Sequence, residues 1–132
     1  MNRFHVLMTI GLVFVLVTLS PTQLMGADNQ KYPDVVNVKV KARDGNRFDF
    51  DVTVSSPYDT AQRYADAFRA MGADGVIYGE RVLLHDHAGE QPFTRDLYGV
   101  TIPAGVKWVI IQARDQKYGY GGKTMQVTLP GR

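Results

Sequence analysis

Two histidines flank one aspartate at His85-Asp86-His87, and no other stretch of the sequence is better equipped for chemistry. In an extended segment, residues i and i+2 point the same way, about 7 Å apart at roughly 3.3 Å per residue. Two imidazoles on one side can share Cu²⁺ or Zn²⁺, with Asp86, Glu90 or a tyrosine from the later glycine-rich segment completing the shell. A tetrahedral zinc site takes three or four protein ligands. The pair alone therefore also reads as two polar loop residues bonded to backbone. A second candidate is Tyr118-Gly119-Tyr120-Gly121-Gly122-Lys123. Tyrosine mixed with glycine combines amphipathic contact area with backbone freedom. Tyr58, Tyr118 and Tyr120, with Tyr64 nearby, would form a binding surface for a glycan, a peptide or a protein. The alternative is that the glycines make a wide turn whose tyrosines cover the end of the core. The segment lacks the G-x-x-x-x-G-K-[ST] spacing that cradles phosphates.

Other polar residues read as structural. Glu90 and Arg95 come close enough to set the start of a strand, and Asp49 and Asp51 fall on a strand's polar face. Ser55 and Ser56 have no histidine–acid partner in view, so no catalytic set emerges and the chain reads as non-enzymatic.

The elements that must hold these residues are strands. Val36, Val38 and Val40 alternate with polar residues, Asp44-Gly45-Asn46 is a turn, and Phe48, Phe50, Val52 and Val54 alternate again. Two alternating runs around Asp-Gly predict a hairpin. Residues 59–71 have helical spacing in Ala61, Tyr64, Ala65, Phe68 and Met71. The Gly72-Ala73-Asp74-Gly75 turn and the β-prone residues after it favour a strand instead. Val106 to Ala113 is apolar enough for a central strand buried on both faces, with Trp108 packed on aliphatic side chains. Seven strands result, over 35–42, 47–55, 63–71, 76–84, 93–102, 106–113 and 124–129, with a bulge at Tyr98-Gly99. The pattern predicts an all-β sandwich, immunoglobulin-like or fibronectin-III-like. Successive strands alternate in direction, so the long loops 56–62, 85–92 and 115–123 should share one end and the tight turns the other. Loops on a rigid scaffold are where binding residues concentrate.

The N-terminus predicts export. Arg3 precedes an apolar run from Val6 to Leu19 without a charged residue, shorter than the roughly 20 residues of a span, with an uncleaved membrane anchor as the rival reading. Ser20-Pro21 breaks it, and cleavage after Ala27 leaves a signal peptide over 1–27 and one domain over 28–132. The destination is then periplasmic or secreted, with no stable membrane span after cleavage. The chain has no cysteine, which removes disulfides, thiolate metal sites, cysteine nucleophiles and the cysteine that a lipoprotein needs. Without Arg3, 14 basic side chains face 13 acidic ones, and their scatter gives nucleic acid no reason to bind.

Several segments carry a resemblance. These are Gly79-Glu80-Arg81-Val82-Leu83-Leu84-His85-Asp86-His87, Glu90 to Arg95, Gly99 to Val106, Ala113-Arg114-Asp115 and Gly119-Tyr120-Gly121-Gly122. Together they resemble a group of small uncharacterised exported bacterial proteins, over nearly the whole of 28–132. The resemblance implies export and a β-sandwich, and no activity. In that group a histidine often precedes the Gly-Tyr-Gly-Gly segment. Here Tyr118 stands in its place, so a third imidazole is lost or replaced by a phenol. The expectation is an exported, non-enzymatic binding module acting on a protein, a glycan or a metal of the envelope. A Cu or Zn protein using His85 and His87, and an envelope domain without a small ligand, are the alternatives.

Overall fold

The structure, a computed structural model, describes residues 29–132. The predicted signal peptide lies outside them. Seven strands follow one another: β1 (Asp34–Arg43), β2 (Arg47–Ser55), β3 (Ala65–Met71), β4 (Ile77–Val82), β5 (Phe93–Thr101), β6 (Trp108–Asp115) and β7 (Gly119–Thr128). They form two antiparallel sheets, ordered β1-β2-β5 and β4-β3-β6-β7. This is the predicted immunoglobulin-like sandwich. No helix among the described residues is long and apolar enough to cross a membrane.

Alternation builds the core. Phe48, Phe50, Val52 and Val54 of β2 all point inward, onto Phe68, Phe93, Ile102, Val109, Ile111 and Leu129. With period-2 side chains, a slip of one residue would expose that whole set, so burial pins the register. The segment 59–71 holds no helix: a turn closed by the Thr60–Arg63 bridge leads into β3 over Ala65–Met71, with Ala65, Ala67, Phe68 and Ala70 buried.

Four expectations need correction. Val36 sits at a bulge between Val35 and Asn37, which turns it outward and gives Val35 the core position. Strand β6 is buried on one face only: Val109, Ile111, Ala113 and Asp115 face the core, and Trp108, Ile110, Gln112 and Arg114 the other way. Trp108 is therefore no core residue. Residues 115–123 are not a long loop, because β7 begins at Gly119 and the turn shrinks to Gln116-Lys117-Tyr118. The predicted bulge at Tyr98-Gly99 is present, where the β2–β5 register shifts and Gly99 takes φ +67°.

The two ends sort as the topology requires. Ser56 and Asp59 bond to the loop before β5, and Gln116 donates its amide to the Tyr64 carbonyl, so the β2–β3, β4–β5 and β6–β7 connections meet. At the other end Arg132 donates to the Ile102 and Val106 carbonyls and to Asn46, joining the β1–β2 and β5–β6 turns.

Candidate functional site: the loop end of the sandwich

A buried carboxylate organises the loop end. Asp115 closes β6 on its core side and is fully buried. Its carboxylate accepts the Tyr58 hydroxyl (2.6 Å), Arg63 Nε (3.1 and 3.3 Å), and the amides of Lys117 (2.9 Å) and Tyr118 (2.8 Å). Burial pushes Asp115 up, but the hydrogen bonds from Tyr58, Tyr118, Arg63 and Lys117 outweigh it and hold the carboxyl below its usual range. Burial, then the Asp115 bond, push the Tyr58 hydroxyl far up, so it stays a donor. The two amide bonds form an Asx turn that fixes the β6–β7 hairpin. Asp-x-Lys-Tyr after an apolar run was the available sequence signal for it.

The turn presents Tyr118 to solvent, 43% exposed, with cations on several sides. Arg63 lies between two rings, 4.2 Å from the centre of Tyr58 and 4.9 Å from that of Tyr118. Lys31 Nζ stands 4.7 Å and Lys117 Nζ 5.2 Å from the Tyr118 centre, and Tyr32 meets Tyr118 edge-on at 6.3 Å. Local sequence gave no hint of Arg63, Lys31 or Tyr32, which come from other segments.

Tyr32 belongs to an arm, residues 29–33, that docks here. Arg63 donates to the Gln30 and Lys31 carbonyls, and Gln30 Nε2 reaches the Ser55 carbonyl (3.1 Å). Gly121 and Gly122 seat the arm. A Cβ at Gly121 would overlap the Tyr32 ring, and one at Gly122 would strike the Pro33 carbonyl. Gly122 also holds φ +77°. The glycines of this segment are thus a docking surface and not a flexible loop.

Tyr120 does not join Tyr58 and Tyr118. It lies on the outer face of β7, its hydroxyl bonded to Glu80 and its ring stacked 3.6 Å beneath the Arg69 guanidinium. Burial, then Glu80, push its pKa far up.

His85 and His87 approach closely, with ring centres 4.9 Å apart. The segment bends after β4, so the pair is nearer than an extended strand would allow. His85 is exposed, and its Nδ1 lies 2.8 Å from the Asp86 carbonyl, an arrangement that leaves the lone pair on Nε2 when the ring is neutral. His87 is 6% exposed, stacked 4.0 Å from Phe93, with its amide on buried Asp59 (3.1 Å) and Nδ1 buried without a partner. Burial, then repulsion from Arg95 and His85, hold His87 below its ordinary pKa and favour the neutral ring. The predicted extra ligands are otherwise engaged. Glu90 forms a two-pronged pair with Arg95 (2.9 and 3.2 Å), and Asp86 accepts the Ala88 amide. Among the described residues no group of three or more His, Cys, Asp or Glu side chains is gathered for a metal ion.

No family model matches the chain, and no solved structure matches it. A protein of Halomicrobium mukohataei bearing the name "Putative lipoprotein" is 35% identical over 94 residues, 71% of this chain. The match covers 46% of that relative, so the chain spans about half its length.

A cleft of about 460 Å³ lies at the opposite end between Gly72-Asp74, Tyr78 and Gly105-Trp108. It is open, and Asp74 there is committed to the Val76 amide. At the loop end, by contrast, Lys31, Lys117 and Tyr118 are exposed on a turn that buried Asp115 fixes through the Lys117 and Tyr118 amides.

Proposed function

We propose that the chain is an exported, non-enzymatic binding module of the cell envelope whose contact surface is the loop end around Tyr118. The observation that carries this reading is the Asp115–Arg63–Tyr58 frame, which holds Tyr118 exposed among Lys31 and Lys117. Ordering costs are then met in folding, so little conformational entropy remains to be lost on binding. The named lipoprotein supports an envelope setting, and the apolar run Val6–Leu19 supports export. This sequence offers no cysteine to carry a lipid, so we place envelope attachment on a surface and not on an acyl chain. The test is sedimentation of the chain with washed envelope fragments. Tyr118→Ser combined with Lys117→Gln should reduce the bound fraction at least about tenfold, a loss of roughly 1.4 kcal/mol. Lys107→Gln at the other end should leave it unchanged. The reverse pattern contradicts the assignment.

The close imidazole pair, with His85 exposed, favours one second reading: Cu²⁺ or Zn²⁺ bound at His85 and His87. Shifts of both imidazole resonances on adding either metal, abolished by His85→Asn, would support it. Unmoved resonances at excess metal would exclude it.

A further inference from the structure

Resting on the loop-end reading, we propose that the surface formed by Lys31, Leu84, Lys117 and Tyr118 lies against an anionic lipid bilayer. Three observations converge on that occupant.

The first is apolar. Leu84 is 83% exposed, the highest value among the large exposed hydrophobics of the described residues. A lone exposed leucine is ordinary on a soluble surface. Here it shares one end with Tyr118, and Tyr64 ties the two: its hydroxyl reaches the Leu84 carbonyl (3.4 Å) and its carbonyl accepts the Gln116 amide (3.0 Å). An exposed aliphatic side chain and an exposed tyrosine at one end suit the boundary between headgroups and acyl chains.

The second is charge. Two carboxylates of this end are paired with cations, Asp115 with Arg63 and Glu90 with Arg95; Asp59 is buried beneath the surface on the Ala65 and His87 amides, and Asp86 accepts the Ala88 amide and keeps its charge. Lys31 and Lys117 are exposed, and no ion pair engages either among the described residues. Each lysine near an anionic surface is worth roughly a fivefold gain in partition, so the two together give about thirtyfold. Within a Debye length of about 8 Å this attraction persists at physiological salt.

The third is where the chain enters the sandwich. The arm docks at this end, so whatever precedes Gln30 joins the domain here, including the apolar run Val6–Leu19. The residues from Leu19 to Gln30 can span at most about 40 Å. A leader held in a membrane therefore keeps this end near its surface.

The absence of cysteine makes single-cysteine labelling clean. The full chain, expressed with its own N-terminus, is labelled with a polarity-sensitive fluorophore at Ala88→Cys on the loop end or at Ala104→Cys on the opposite turn. It is then mixed with vesicles of phosphatidylcholine alone or with one third phosphatidylglycerol. The expected result is a blue shift and quenching by brominated lipid at position 88, only with phosphatidylglycerol, and none at 104. Lys31→Gln with Lys117→Gln should lower the lipid-contacting fraction about thirtyfold, and Leu84→Ser should lower it further. Equal signals at both ends, indifference to phosphatidylglycerol or indifference to the lysine changes would each overturn the proposal. Lysine-dependent binding of polyglutamate or alginate, with position 88 still in water beside vesicles, would also overturn it. That last outcome leaves the loop end standing as the contact surface, whereas loss of the envelope binding described above on altering the opposite end removes both.

Discussion

Asp115 is the residue on which the loop end depends. Removing its carboxylate strands the Arg63 guanidinium, the Tyr58 hydroxyl and two turn amides in a site where little water can replace it. Breaking a buried pair from one side costs about 3–5 kcal/mol. Asp115→Ala should lower the unfolding free energy by that amount in urea, while Tyr58→Phe, which deletes one hydrogen bond to the charge, should cost about 2 kcal/mol. A loss below about 1 kcal/mol in Asp115→Ala would show that the frame carries no load. His87 makes a prediction in pH. Its ring is held below the ordinary 6.5 by burial, then by Arg95 and His85, against the opposing pull of Asp59 and Glu90. The unfolded chain takes up its proton near pH 6.5 while the folded ring resists. Stability is therefore full above that pH and declines as pH falls toward the folded value. Burial raises the pKa of Asp59, so the cost of its charge is relieved only as the pH approaches the carboxylate range, a separate window with the opposite sign. Melting curves between pH 8 and pH 5 should fall for the natural chain and flatten for His87→Phe, which can keep the stack on Phe93.

At the scale of elements, what was legible followed from local pattern. The β1–β2 hairpin, the alternation of β2 and the Gly99 bulge all reside in a few consecutive residues, because side-chain period and turn chemistry are local. Even the contested 59–71 segment was decided by its flanking glycines. The misread features depend on partners distant in sequence. Gly121 and Gly122 looked like loop freedom, but they are small because Tyr32 and Pro33 press on them from nearly 90 residues away. Trp108 looked like core because its run is apolar, yet alternation sends it outward. Two glycines separate these causes. Gly99→Ala meets no neighbour and should cost only the positive-φ strain, about 1–2 kcal/mol. Gly122→Ala adds a collision with the Pro33 carbonyl, so it should cost more and speed amide exchange across Gln30–Asp34. Equal losses in the two variants, with exchange unchanged, would mean that the arm is not seated there.

For the molecule as a whole, topology does the placing. Alternating strand directions bring three connections to one end, and the docked arm adds a fourth segment, so residues 30–32, 58–64, 84–90 and 116–118 form one surface on a rigid sandwich. Binding there requires no rearrangement of the core. The placing of Tyr58 and Tyr118 at one end was readable from loop positions, whereas the cations around them came from the arm and from Arg63, and Tyr120 turned away to Glu80. The central claim is that this end, and not the cleft beside Trp108, meets the envelope. Its most direct test is the reactivity of single cysteines toward a water-soluble maleimide in intact cells, measured against the purified chain. Cysteines at Ala88 and Gln116 should react at least about tenfold more slowly in cells, while one at Ala104 reacts at the same rate in both, as expected when only one end is excluded from water. Slowing at Ala104, or equal rates at all three positions, would contradict the account.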